Sequence, residues 1–193
     1  MQTITDEYRK LNETLHNLNK NYGTSGHLYA DEVLSLSQKV GTKDILDYGC
    51  GKCTLADTLP FFINKYDPCI RAFSEEPEPA DLVTCTDVLE HIEPELLDNV
   101  LAHMKEKTKR VVYLAISTRL ANKTLADGRN AHLIVQQGDF WFNKISEYFH
   151  ILSYLKRGDV VIIIANRAEV MKPEVQIEKE ISVDAILSER GLA

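Results

Sequence analysis

No stretch of this chain stays apolar for long. Its most hydrophobic run, Val160 to Ala165, stops after six residues, whereas a bilayer-spanning helix needs about 20, so no membrane association is expected. The opening decapeptide, Met-Gln-Thr-Ile-Thr-Asp-Glu-Tyr-Arg-Lys, has no apolar centre of the kind a secretory signal requires, and a cytoplasmic location is the expectation. Positive charge is also scarce: 22 Lys and Arg face 29 Asp and Glu, a formal net charge of −7. Such a chain repels a phosphate backbone unless its cations gather on one face, which argues against a nucleic-acid partner. The densest basic cluster, Lys105, Lys107, Lys109 and Arg110, falls at the end of an expected helix, where cations suit the helix dipole. Cysteine is confined to positions 50, 53, 69 and 85. Without an export signal these read as reduced thiols rather than a disulfide framework. Cys50-x-x-Cys53 has no second pair to complete a tetrahedral set, so no metal centre is expected and the two thiols read as small residues in a tight loop.

What is present is an alternation of short apolar runs with longer helical patterns, the signature of an α/β sheet covered on both faces. Strands are expected at Lys43 to Tyr48, Asp81 to Thr86, Arg110 to Ser117, Ile151 to Leu155 and Val160 to Ala165. The last two flank Lys156-Arg157-Gly158-Asp159 and should form an antiparallel hairpin. Helices are expected at Ala30 to Lys39, Thr54 to Ile63, Pro94 to Lys107 and Asp139 to Tyr148, with a further N-terminal helix within residues 1–29. Ser74-Glu75-Glu76-Pro77-Glu78-Pro79 loses backbone donors and apolar burial together and reads as a surface loop. One domain over residues 1–171, followed by a tail at 172–193 in which Ile181 to Leu187 could form a short helix, accounts for the whole chain.

The informative segment is Asp47-Tyr48-Gly49-Cys50-Gly51-Lys52-Cys53, which closes the first strand and opens a helix. Two glycines stand where the backbone must turn tightly and approach a ligand. A dinucleotide fingerprint would place a third glycine at position 54, which is Thr54 here. An acidic residue followed by Gly-x-Gly at this point resembles motif I of the class I S-adenosylmethionine-dependent methyltransferases, whose frequent third glycine is replaced by Cys53. The resemblance extends to Thr86-Asp87-Val88-Leu89-Glu90-His91, which is similar to the end of the family's fourth strand and the loop after it.

The resemblance implies a Rossmann-like doubly wound, mostly parallel sheet with S-adenosyl-L-methionine as cofactor. It implies that Asp47, Gly49, Cys50 and Gly51 shape the methionine end of the cofactor site. It places Asp67 and Pro68, 20 and 21 positions after Asp47, at the ribose, and Thr86, Asp87 and Val88 on the facing edge. The physical logic at Asp67 is a carboxylate accepting from two hydroxyls. With only 13 residues between Asp67 and Asp81, the family's third strand is shortened or missing, and the adenine pocket is unassigned. Ile70 or Phe73 could stack on adenine or simply cover the core. The segment Tyr22-Gly23-Thr24-Ser25-Gly26 corresponds to one that folds over the cofactor in the family, and reads equally as a loose linker.

For chemistry, His132 and His91 are the candidate general bases, since imidazole titrates near neutrality; His91 could instead cap the following helix. The stretch from Ser117 to Ile134 is long for a compact sheet and carries Arg119 and Arg129 as candidate substrate contacts, with a mobile surface loop as the alternative. The function implied is in-line methyl transfer to an oxygen or nitrogen of a small molecule or an exposed group. A noncatalytic S-adenosylmethionine-binding scaffold and a nucleotide-binding oxidoreductase remain as rivals. No Asn-Pro-Pro-Tyr-like or Asp-Pro-Pro-Tyr-like motif for base amino groups is present.

Overall fold

The computed structural model describes residues 1–167. The tail at 172–193, with its expected short helix, lies outside the described residues. Six strands form one sheet: β1 (Ile45–Tyr48), β2 (Asn64–Tyr66), β3 (Ala80–Thr86), β4 (Thr108–Ser117), β5 (His150–Arg157) and β6 (Val160–Asn166). Their order is β2-β1-β3-β4-β6-β5. The first four run parallel, and β6 runs antiparallel to both β4 and β5. The expected hairpin is therefore present, turning on Gly158 and Asp159. No strand lies between β2 and β3 among the described residues; a single 3-10 turn, Arg71–Phe73, fills that span. The third strand is missing, and three-residue β2 forms the edge of the sheet.

Five α-helices accompany the sheet: α1 (Asp6–Leu18), α2 (Ala30–Val40), α3 (Thr54–Thr58), α4 (Leu97–Lys107) and α5 (Gly138–Ser146). The helix expected from Thr54 to Ile63 is a single turn and a little more. Pro60 is the reason, because its ring disfavours helical geometry at the residue before it, and Leu59 is extended at ψ 144°. The helix expected from Pro94 begins as a 3-10 turn, Pro94–Leu96, and becomes α-helical at Leu97.

Alternation along β4 divides the core. Val112, Leu114 and Ile116 face α4 and α5, packing with Leu101, Met104 and Trp141, while Tyr113 and Ala115 face α2 and α3, packing with Val33 and Leu55. All ten of these side chains are essentially shielded from solvent, and each large aliphatic one stabilises the fold by about 1.5–3 kcal/mol through apolar area removed from water. A third cluster, Ile4, Tyr8 and Leu125, joins α1 to the 118–137 segment. Thr5 caps α1 by accepting from Tyr8 N at 3.1 Å, and its own N and Oγ1 donate to the Glu93 carboxylate at 2.9 and 2.6 Å. That bond pair pins α1 across the carboxyl ends of β1 and β3. Among the described residues no helix is long and apolar enough to cross a membrane.

Candidate functional site

Strand order reverses direction between β1 and β3, and in open α/β sheets the crevice outside the carboxyl ends of such strands receives ligands. β1 ends at Tyr48, and the next two amides, Gly49 N and Cys50 N, both donate to Tyr66 O at 2.7 and 3.0 Å. Gly49 has φ 81°, and a Cβ there would lie 2.4 Å from Val88 Cγ2. Gly51 has φ 52°, and a Cβ there would lie 2.5 Å from Gly23 O, the carbonyl that accepts from Lys52 N. Both positions therefore exclude any side chain. Cys53, where the resembled family often has its third glycine, takes the same left-handed backbone at φ 61° with its side chain in place.

Asp67 follows β2 and is buried. Its Oδ2 accepts from Gly51 N at 3.0 Å and its Oδ1 from Cys69 N at 2.9 Å, so the carboxylate also ties the glycine loop to the end of β2. Asp47 sits within β1 rather than on the crevice wall, where its Oδ1 accepts from Thr84 Oγ1 at 3.3 Å. Burial pushes its carboxyl up to about 7, with the charge of Asp67 acting in the same direction. Cys50 and Cys53 are free thiols 3.9 Å apart, and burial raises both.

These elements surround a cavity of about 430 Å³, within the range of small-molecule sites. Of the residues singled out from sequence, Gly49, Gly51, Asp67, Pro68, Asp87, Val88, His91, Arg119 and His132 line it. Asp47, Cys50 and Thr86 stand behind that wall, and Arg129 lies outside it, bonded through Nε to Asp127 Oδ2 at 2.7 Å with its guanidinium over the Tyr8 ring. Ile70 and Phe73 are absent from the lining; Phe73 packs under the Lys65 ammonium. Tyr22, Gly23, Thr24 and Ser25 also line the cavity.

Sequence reasoning missed Tyr8, Asn12 and His16, which also line the cavity. Their spacing of four places them on one face of α1, and a stripe of Tyr, Asn and His on an otherwise charged helix was the available signal. Tyr22 hydroxyl donates to Asn12 Oδ1 at 2.9 Å and its ring meets His16 edge-on at 4.6 Å. His16 Nδ1 is buried without a hydrogen-bond partner among the described residues, and the same burial lowers its pKa.

The opposite wall begins at Asp87, a left-handed residue at φ 53° whose N donates to Ala115 O at 2.8 Å and whose Oδ1 accepts from Tyr29 hydroxyl at 3.3 Å. Glu90 is fully buried. Its Oε1 accepts from Ser117 N at 2.9 Å, and Oε2 has no partner among the described residues. Burial pushes this carboxyl up to about 8, helped by Asp87. His91 Nδ1 lies 2.7 Å from Ala131 O, and His132 Nδ1 lies 2.6 Å from Arg119 O. Since a carbonyl only accepts, both rings carry their proton on Nδ1 and keep a free lone pair on Nε2. Loss of solvation holds the His91 imidazole neutral, with its pKa brought down to about 3, and lowers that of His132. The rings meet edge-on, 4.6 Å between centroids. The 118–137 segment that delivers His132 is ordered: Asn130 bonds both N and O of Ala121, and Ala131 N donates to Lys123 O.

Three of the four cations in the basic cluster read from sequence are paired locally, Lys107 with Glu76 and Glu106, Lys109 with Asp44 and Arg110 with Asp81.

A family model described as a methyltransferase domain matches residues 16–156. No curated protein matches the chain by sequence. Among solved structures, magnesium protoporphyrin IX methyltransferase from Synechocystis PCC 6803, crystallised with S-adenosylmethionine, aligns with TM-score 0.56 at 16% identity, covering 87% of this chain and 100% of that one. The 1,6-didemethyltoxoflavin-N1-methyltransferase of Burkholderia thailandensis, with its substrate and S-adenosylhomocysteine bound, aligns with TM-score 0.58 at 12% identity, covering 88% and 92%. At these identities the two structures share the fold of this chain.

Proposed function

This chain belongs to the methyltransferase domain family, and on that premise we propose that it moves a methyl group from S-adenosylmethionine to an oxygen or nitrogen of a small molecule. The observation that carries the reading is the joint placement of the Gly49 to Gly51 loop, Asp67 and Asp87 around one cavity under the N-terminal segment. The residues present suit the cofactor. Each oxygen of Asp67 accepts one amide and retains capacity for a ribose hydroxyl. His16, beside Asn12 and Tyr22, also lines the cavity. The two solved relatives named above carry S-adenosylmethionine or its product.

When bound, the cofactor supplies a sulfonium whose methyl carbon is open to in-line attack. The chain's own task is to position and to exclude water. Gly49 and Gly51 let the backbone approach the ligand, Asp67 orients the ribose, and the Tyr22 to Ser25 cover, held by the Tyr22 to Asn12 bond, shields the site. At the other end, His91 and His132 present acceptor nitrogens, which an acceptor group bearing a proton requires. Arg119 borders the same end and would contact the substrate.

Calorimetric titration with S-adenosylmethionine and S-adenosylhomocysteine, with NAD as control ligand, tests this. Micromolar binding of both sulfur compounds, reduced at least tenfold in Asp67→Ala, is the expected result. Binding of NAD alone, or of nothing, would overturn it, and tight binding without turnover of any oxygen or nitrogen acceptor would favour a noncatalytic role.

A further inference from the structure

Two histidines at the far end of the cavity, and a buried carboxylate beside them, have properties that acid-base chemistry does not exhaust. Glu90, His91 and His132 each place a ligand-type atom within 4.8 Å of the others. We propose that they form a binding site for a divalent transition-metal ion, with two imidazoles and one carboxylate as protein ligands.

The strongest observation is Glu90 Oε2, an oxygen inside a fully buried side chain with no donor facing it. A buried polar atom without a partner is unfavourable by about 1–3 kcal/mol, and the other oxygen is already held by Ser117 N. The second observation is independent of it. Both histidines donate Nδ1–H to backbone carbonyls, Ala131 O and Arg119 O, the outer contact that fixes the tautomer and ring orientation of metal-bound imidazoles. Nε2 is left as the coordinating atom in each. The third is their support. His91 and Glu90 sit on a short 3-10 turn, Leu89–His91, directly after β3, while His132 is delivered by the ordered 118–137 segment. Ligand atoms about 2.0–2.2 Å from an ion stand closer together than 4.8 Å, so binding an ion draws the three side chains inward.

Two nitrogens and one carboxylate oxygen suit Zn²⁺, Co²⁺, Fe²⁺ or Mn²⁺ rather than Mg²⁺ or Ca²⁺, which prefer all-oxygen shells. Three protein ligands leave coordination positions open. His91 and His132 also line the cavity, so an oxygen or nitrogen donor on a substrate could complete the shell. That this substrate is a methyl acceptor rests on the proposed function; the metal site itself does not. Sequence reasoning weighed a metal only at Cys50 and Cys53. It had no pattern for this triad because His132 is 41 positions from His91, and only the fold brings them together.

The test uses the untagged full chain without S-adenosylmethionine, titrated with Co²⁺ in the visible and with Zn²⁺ by calorimetry. The expected result is one ion per chain, visible d–d bands that Zn²⁺ abolishes, and affinity weakened at least tenfold in both His132→Ala and Glu90→Gln. His150→Ala, on the exposed face of β5, should bind as the wild type does. His132→Ala alters a half-exposed loop residue, so it remains informative if the buried Glu90 variant fails to fold. Absence of a stoichiometric site, or an affinity that His132→Ala leaves unchanged, would overturn the proposal. Because cofactor is left out, loss of the S-adenosylmethionine reading would not alter this result.

Discussion

At the scale of single residues, the site concentrates unfavourable local choices that the fold compensates elsewhere. Gly49 cannot accept a side chain, given φ 81° and the Val88 methyl groups against it. Gly49→Ala should destabilise the protein by about 1–3 kcal/mol, read as a lower denaturant midpoint with unchanged slope. Asp47 is a different kind of compromise. Its folded carboxyl is raised to about 7 by burial, against an ordinary value near 3.9. Below about pH 4 the group is protonated in both folded and unfolded chains. As pH rises from there the unfolded chain ionises first, stability falls until about pH 7, and the loss is then constant. Asp47→Asn cannot ionise, so its melting temperature relative to wild type should rise between about pH 5 and pH 8, a gain on the order of 1 kcal/mol or more. Equal pH dependence in both proteins would show that Asp47 does not titrate in this window.

At the scale of elements, the helix that covers the site matters as much as the loop beneath it. α1 reaches the cavity through Tyr8, Asn12 and His16 and is held by Thr5 and Glu93. Thr5→Ala removes both the cap on Tyr8 N and the hydroxyl bond to Glu93. It should lower stability by about 1–2 kcal/mol and speed proteolytic cleavage near the N-terminus, with affinity for S-adenosylmethionine falling alongside. Unchanged cleavage would mean that α1 is held by its apolar contacts alone. Strand β4 behaves oppositely: Leu114, shielded completely at its centre, lies outside the cavity lining, and Leu114→Ala should cost about 2–5 kcal/mol without changing the affinity of the protein that remains folded. Elements with strong periodicity were legible in advance. β3, β4 and β6 appear within two residues of their expected bounds because their apolar runs are continuous and bracketed by turns. The helix after the glycine loop was read too long because apolar spacing through Ile63 outweighed Pro60, a single residue that ends it.

At the scale of the whole molecule, binding in a cavity at the junction of β1, β2, β3 and α1 links the cofactor to global stability. Saturation with S-adenosylmethionine or S-adenosylhomocysteine at 100 times Kd should stabilise the fold by about 2.7 kcal/mol, a rise of roughly 5–10 °C in melting temperature for a chain of this size. NAD should give none. The amino-acid sequence by itself determined the α/β class, the hairpin, the loss of the third strand and most of the residues at the carboxyl ends of the strands. These follow from period, turn chemistry and short-range spacing, all of which are local. Only the tertiary structure decided which of those residues face the cavity. Asp47 and Thr86 stand behind the wall, Arg129 turns outward to Asp127, and α1 brings Tyr8, Asn12 and His16 to the lining. It alone also decided that His132 meets Glu90 and His91. Such meetings depend on how a 20-residue connection folds back across the sheet, and the distance between two residues in a chain says nothing about that path.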